Sequence, residues 1–83
     1  MLLVIDVGNT NIVLGVFKGE ELLDHWRVST NRLRTTDEYG VLIRNLFYLN
    51  GVDAEEIKAI IISSVVPPVM PTLERMCQRY FGL

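Results

Sequence analysis

The amino-acid sequence predicts an α/β fold in which three strands, a helix, a fourth strand and a second helix follow one another. Two apolar runs, Leu2–Ile5 and Ala59–Val66, lack polar alternation, as is typical of strands buried on both faces of a sheet. Between them, apolar residues after Thr35 recur at nearly the 3.6-residue spacing of one helix face. The 83 residues, 49% hydrophobic and 22% charged, form an ordinary soluble globular composition of at most one domain.

The first strand ends in a polar segment, residues 6–11, which has the sequence Asp-Val-Gly-Asn-Thr-Asn. The strand delivers Asp6 to its own C-terminal end. Gly8 and Asn9 tolerate positive φ, so we expect the backbone to reverse there, and with Thr10 they offer N–H and hydroxyl donors to an anion. The plain alternative is a hairpin turn beside a solvated acid. A hairpin does not need that acid, and the polar run is longer than a simple turn requires, so the segment favours an anion site.

Two more strands are predicted after this turn, and with the first they form an antiparallel meander. The second strand is expected over Ile12–Phe17 and the third over Leu22–Val28, with a turn signal at Lys18-Gly19 between them. The third strand alternates imperfectly, which indicates one better-buried face. The residues expected on one of its sides are Leu22, Asp24, Trp26 and Val28. The polar stretch that begins at Ser29 is interpreted as a plain connecting loop, with a substrate-contacting segment as the alternative.

Capping signals define the two helices. Thr35 is followed three residues later by Glu38, the pairing of a capping box, and Asn50-Gly51 supplies the stop of the first helix. The second helix is expected to begin near Pro71, which suits a helical first turn, and to end at Gly82.

A right-handed crossover then lays the fourth strand parallel to the first, so that the first strand lies between the second and the fourth. Ligands bind at the carboxyl end of such strands.

Composition argues against several classes of function. The formal charge of −2 gives no basic footprint for nucleic acid. No stretch reaches the roughly 18 to 20 consecutive apolar residues of a membrane span, and the N-terminus has no signal-peptide pattern. Cys77 and His25 are each the only residue of their type, which leaves no intrachain disulfide and no thiolate metal cluster. We therefore expect a cytoplasmic protein. His25 is expected to be a solvent-facing or hydrogen-bond-satisfied residue rather than a catalytic one.

Three motifs in this order resemble the type III pantothenate kinase family of the actin-like and sugar-kinase ATPase superfamily. The motifs are Asp6–Asn11, Arg34–Tyr39 and Ser63–Pro67. The resemblance covers essentially the whole chain and implies a ribonuclease H-like, actin-like core. It also implies ATP-dependent phosphorylation of pantothenate to 4'-phosphopantothenate, the first step of coenzyme A synthesis. Because family members are several times longer, residues 1–83 are expected to be the N-terminal part of one actin-like ATPase domain, ending before the next strand.

The same resemblance implies particular site residues and cofactors. In that family the first motif wraps the ATP phosphates, a role that carries over to Asp6, Val7, Gly8, Asn9, Thr10, Asn11, Ile12 and Val13. Asp6 would also hold Mg²⁺, directly or through water. Family members additionally use a monovalent cation, K⁺ or NH₄⁺, and act as homodimers. No residue here matches the family's general base or its second phosphate motif, so we assign no base and expect the isolated chain to be inactive.

Two other classes of function stay open. A metal-dependent nuclease or other phosphotransferase on a ribonuclease H-like sheet would share the strand order and the acid on the first strand. Its cluster of further acids is not evident, since Ser63-Ser64 ends the fourth strand. We interpret Ser63-Ser64 as a polar strand end rather than a nucleophile, because no base or oxyanion motif accompanies it. A non-catalytic binding or regulatory module is the third class, because the family also resembles an accessory factor of transcription. Nucleotide-dependent thermal stabilisation would favour the kinase, and magnesium-dependent cutting of nucleic acid would favour the nuclease.

Overall fold

The computed structural model describes residues 1–83 and shows one four-stranded sheet packed against two α-helices. The strands are β1 (Leu2–Val7), β2 (Asn11–Lys18), β3 (Glu21–Ser29) and β4 (Ala59–Ser64), and the helices are α1 (Thr36–Leu49) and α2 (Met70–Phe81). Short 3-10 helices precede β4 and α2, at Ala54–Glu56 and Pro67–Val69 respectively. The predicted order of elements is confirmed. Neither α-helix is both long and apolar enough to cross a membrane.

Strand β1 lies in the middle of the sheet, whose order is β3-β2-β1-β4. It runs antiparallel to β2 and parallel to β4, as the sequence predicts. In this register Asp6 lies opposite Val13 on β2 and opposite Ser63 on β4. The carboxyl ends of the two parallel strands therefore meet at the same edge of the sheet, beside the turn that joins β1 to β2.

The hydrophobic core lies between one face of the sheet and both helices. Alternate residues of β1 and β2 are buried there, and each fully buried aliphatic side chain contributes about 1.5–3 kcal/mol. The sheet contributes Leu3, Ile5, Val7, Ile12, Leu14 and Val16. The helices contribute Tyr39, Ile43, Phe47, Leu73, Met76 and Cys77. This packing fixes β1, and therefore the position of the turn that follows it.

The other face of the sheet is not covered, which corrects the prediction that β1 and β4 are buried on both faces. We call it the open face, and its members include Val4, Asp6, Val13, Phe17, Leu22 and Ile61. Asp6 is exposed, and Ile61 on the edge strand β4 is 54% exposed. Both helices pack on the opposite side, so no helix covers this face, and Val4, Val13 and Phe17 are only half-buried.

A β-bulge changes which face Leu22 occupies. Phe17 pairs with Leu22 while the preceding Val16 pairs with Asp24, so Leu23 is an extra residue in β3. Leu22 consequently lies on the open face beside Gly15, rather than on the side of Trp26 as its spacing predicts. The extra residue shifts the alternation by one position, which a regular period of two does not allow for.

The helix boundaries follow the predicted caps. Thr35 accepts a hydrogen bond from the Glu38 N–H at 3.1 Å, and Glu38 Oε1 accepts one from the Thr35 N–H at 2.8 Å. Helix α1 ends before Gly51, which has φ of 73°. Helix α2 has proline in its first turn and ends at left-handed Gly82. Strand β4 stops at Ser64 rather than Val66, and the chain then enters the proline-led 3-10 helix.

Candidate functional site

Four residues, 8–11, lie between the paired residues Val7 and Ile12, and the last of them, Asn11, is already the first residue of β2. The Gly8 N–H donates to the Asn11 carbonyl at 2.8 Å and closes the turn. Asn9 and Thr10 are exposed at its tip, and their backbone N–H groups donate to no protein acceptor. Two adjacent, unengaged N–H groups on an exposed bend can bind an anion.

The expected reversal of the backbone at Gly8 and Asn9 is confirmed, but it takes place without the positive φ that both residues tolerate. Positive φ occurs only at Gly19, Gly51 and Gly82. A two-residue hairpin loop needs left-handed residues, whereas a four-residue loop can reverse without them. Glycine at position 8 has a different reason, since a Cβ there would lie 3.1 Å from the Asn11 carbonyl oxygen. The close approach of the two backbone segments, rather than φ, therefore favours glycine.

The carboxylate of Asp6 is the only acidic group at this end of β1. It is exposed and forms no hydrogen bond or ion pair with the protein; the one salt bridge joins Arg79 to Asp37 on the helices. No group of three or more histidine, cysteine, aspartate or glutamate side chains is arranged to hold a metal ion. Magnesium typically takes one or two carboxylates together with phosphate oxygens and waters. A single free carboxylate beside two unengaged backbone N–H groups fits that ligand set, and it does not fit an all-protein metal cage.

The predicted site residues do not all present side chains to one region. Val7 and Ile12 are buried in the core, so only their backbone could contact a ligand at the turn. Val13 is half-buried on the open face, opposite Asp6. Asn11 is half-buried at the start of β2. The exposed side chains that the fold brings together are therefore those of Asp6, Asn9 and Thr10.

The end of β4 adds two hydroxyl groups beside this site. Ser63 pairs with Asp6 and is exposed on the same face of the sheet. Ser64 Oγ accepts a hydrogen bond from the Val66 N–H at 2.9 Å, so it stabilises the turn that leaves the strand. The Val65 N–H donates to the Val7 carbonyl at 3.1 Å and keeps β4 close to the end of β1. This arrangement agrees with the interpretation of Ser63-Ser64 as a polar strand end rather than a nucleophile.

The loop after β3 contacts the turn directly, which the sequence interpretation of a plain loop missed. Thr30 Oγ1 donates to the Gly8 carbonyl at 2.7 Å, and the Thr30 N–H donates to the Thr10 carbonyl at 2.9 Å. The neighbouring Asn31 is held by the hydroxyl of Tyr39, which donates to the Asn31 carbonyl and accepts from its N–H. A threonine after a strand carries no signal of such a contact, because the contact depends on how the loop folds back.

Shifted pKa values occur on the two helices. The Tyr80 hydroxyl, together with the Arg79 guanidinium, lowers the pKa of Asp37. Burial raises the pKa of the Cys77 thiol to about 11, so this cysteine is an unreactive core side chain. His25 is exposed on β3, as expected from the sequence.

Comparison with known proteins identifies one family. The family model described as type III pantothenate kinase matches residues 2–83. A type III pantothenate kinase of Geobacter sulfurreducens is 63% identical over 83 residues, covering 100% of this chain and 32% of the relative. One of Myxococcus xanthus is 60% identical over 81 residues, covering 98% and 32%. One of Exiguobacterium sp. is 58% identical over 83 residues, covering 100% and 33%. The chain spans about one third of the length of these curated relatives.

Proposed function

We propose, since this chain belongs to the type III pantothenate kinase family, that it forms part of an enzyme that phosphorylates pantothenate with ATP in coenzyme A synthesis. The product would be 4'-phosphopantothenate, and this chain would supply one side of the ATP phosphate site. The observation that carries the proposal is the turn at the end of β1, where the N–H groups of Asn9 and Thr10 have no protein acceptor beside the free carboxylate of Asp6.

The turn would bind phosphate oxygens through neutral donors. The backbone N–H groups of the bend are held by the hydrogen bond from the Gly8 N–H to the Asn11 carbonyl, and the exposed Thr10 hydroxyl is a further neutral donor. Because these N–H groups are held in place before the ligand arrives, little ordering is needed on binding. They carry no net charge, so they orient a polyphosphate without neutralising it.

Asp6 would provide the metal side of the site. A carboxylate about 4 Å from a phosphate charge is repelled by roughly 4 kcal/mol at an effective dielectric near 20. Bound magnesium would supply positive charge that offsets this repulsion and stabilises the phosphate charge. Asp6 would hold the ion directly or through water, and the turn would hold the phosphate oxygens.

Several finer features of the family are part of this proposal. The strand order, with β4 parallel to β1, supports an actin-like fold of which residues 1–83 form the N-terminal part. The resemblance of the motifs supports the use of Mg²⁺ and a monovalent cation, K⁺ or NH₄⁺, and a homodimeric enzyme. The free thiol of Cys77 is consistent with a reducing, cytoplasmic location. The absence of an acid cluster around Asp6 argues against the nuclease alternative.

A nucleotide-binding experiment on a full-length enzyme that carries this segment tests the proposal. Magnesium-ATP should raise the melting temperature, because a ligand that binds only the folded state stabilises it. Gly8→Ala should abolish most of this increase, since the added Cβ crowds the Asn11 carbonyl and shifts the turn. Gly15→Ala is the matched control, because its Cβ meets only side chains on the open face.

Three results would count against the proposal. One is a melting temperature that does not respond to nucleotide. Another is an equal response in the Gly8→Ala and Gly15→Ala variants. The third is magnesium-dependent cutting of nucleic acid in place of pantothenate phosphorylation, which would favour a nuclease.

A further inference from the structure

We propose that Thr30 is a positioning residue that fixes the direction of the backbone donors in the phosphate-binding turn. The inference rests on the proposed function of that turn. Thr30 makes two hydrogen bonds to it, from Oγ1 to the Gly8 carbonyl at 2.7 Å and from its N–H to the Thr10 carbonyl at 2.9 Å. These two carbonyls lie on either side of Asn9, so a single residue holds both ends of the exposed tip.

The planarity of the peptide bond converts this contact into control of a donor. The Gly8 carbonyl and the Asn9 N–H belong to one planar trans peptide unit and point in opposite directions. When Thr30 holds the Gly8 carbonyl toward the β3 side, the Asn9 N–H must point away from Thr30. The Asn9 N–H is one of the two groups without a protein acceptor. Thr30 therefore orients a donor that it does not touch.

Thr30 can act in this way because the loop that carries it is itself held. The hydroxyl of Tyr39, a residue of α1 that is 1% exposed, donates to the Asn31 carbonyl at 2.9 Å and accepts from the Asn31 N–H at 3.1 Å. Arg34 donates to the Ser29 carbonyl at 3.2 Å and lies over the Tyr39 ring at 5.2 Å. The turn is thus connected through Thr30 and Asn31 to a buried side chain of the helix.

Substitutions of Thr30 in the full-length enzyme distinguish the effect of its hydroxyl on nucleotide binding from an effect on folding. Thr30→Val keeps the shape and the backbone N–H but leaves the Gly8 carbonyl without its donor. We expect Thr30→Val to raise the KM for ATP and the Kd for a magnesium-bound, non-hydrolysable ATP analogue roughly tenfold. This is the effect of one lost hydrogen bond, here the bond from the misdirected Asn9 N–H to the nucleotide. The KM for pantothenate should stay the same. Thr30→Ser keeps the hydroxyl and should restore nucleotide binding.

Thr36→Val is the matched control. The Thr36 hydroxyl also donates to a backbone carbonyl, that of Thr72 at 3.2 Å, but this bond joins α1 to α2. Its loss should lower the melting temperature about as much as the loss of the Thr30 hydroxyl, without changing the KM for ATP.

The inference is overturned if Thr30→Val lowers only the melting temperature, or if Thr30→Ser behaves like Thr30→Val. If Gly8→Ala weakens nucleotide binding but Thr30→Val keeps full affinity, the role of Thr30 is overturned and the proposed function is not. Wild-type enzyme that binds no nucleotide would overturn both this inference and the proposed function.

Discussion

The Tyr80 hydroxyl donates a hydrogen bond to Asp37 Oδ1 at 2.7 Å and so joins the last turn of α2 to the first turn of α1. Arg79 donates to the same carboxylate oxygen at 2.8 Å. Both donors stabilise the charged form of Asp37, and a negative charge in the first turn of a helix is also favoured by the helix dipole. These contacts orient the two helices that support the sheet beneath the candidate site.

The Asp37 contact makes the stability of the fold depend on pH. The pKa of Asp37 is lowered, first by the Tyr80 hydroxyl and then by Arg79, from an unperturbed value of 3.8. A carboxyl whose pKa is lower in the folded state stabilises the fold above its unfolded pKa, and this contribution is lost as pH falls through the folded pKa. Between about pH 5 and pH 2, we expect the free energy of unfolding to fall less in the Asp37→Asn variant than in the parent chain.

Acid titrations followed by circular dichroism test this dependence. The carboxyl of Glu38 is the reference group for this titration, because Thr35 and not Tyr80 lowers its pKa. Tyr80→Phe should reproduce part of the Asp37→Asn effect. Identical acid profiles for the parent chain and Asp37→Asn would show that the contact does not contribute.

Gly40 faces the ring of Tyr80 across the α1–α2 interface, with no room for a Cβ between them. Gly40→Ala should therefore destabilise the fold by about 1–3 kcal/mol, because the ring must move out of a packed position. In a Tyr80→Ala background the same substitution should be neutral or stabilising, since alanine favours a helix over glycine by about 1 kcal/mol. Chemical denaturation of the four proteins measures this double-mutant cycle. Equal effects of Gly40→Ala in both backgrounds would exclude the steric explanation.

The fold was largely predictable because its signals are local. A capping box at Thr35 and Glu38, a stop at Gly51 and two apolar runs define the elements, and chain connectivity then limits the topology. The exposure of Ile61 was not predictable. An apolar run indicates that its side chains favour burial, but not which element covers them.

The site was predictable in part for a similar reason. Asp6 at a strand end is a local feature. The bonds from Thr30 to Gly8 and Thr10 arise from tertiary placement of a loop, and no spacing in the sequence reports them. The absence of positive φ at Gly8 likewise follows from the register, which sets the loop length at four residues.

The open face should make the isolated 83-residue chain prone to association. Strand β4 is an edge strand with Ile61 54% exposed, and uncovered apolar edges pair with other chains. A chain of this size buries only somewhat more than ~60% of its unfolded surface, which leaves little stability in reserve. We expect self-association or marginal folding, and Ile61→Lys should reduce the association. Sedimentation that shows a monodisperse monomer, together with cooperative unfolding well above the usual mesophile range, would contradict this expectation.

The isolated chain should not phosphorylate pantothenate. Phosphoryl transfer requires the phosphates to be held from both sides and the attacking hydroxyl to be positioned. The described residues provide one turn and one carboxylate, and the curated relatives are about three times as long. The test is an assay of purified chain, free of any longer kinase, with magnesium and ATP. Formation of phosphopantothenate in that assay would refute the expectation.

The role of Asp6 is the central claim, and Asp6→Asn in a full-length enzyme that carries this segment tests it most directly. We expect kcat to fall on the order of a thousandfold and apparent magnesium affinity to weaken, because the carboxylate on the metal side is lost. Metal-free nucleotide binding should persist or tighten, since a repulsive charge has gone. Glu20→Gln, in the exposed turn between β2 and β3, is the control and should change neither quantity. Near-normal turnover of Asp6→Asn at low magnesium, or a lowered melting temperature as its only defect, would contradict the metal assignment.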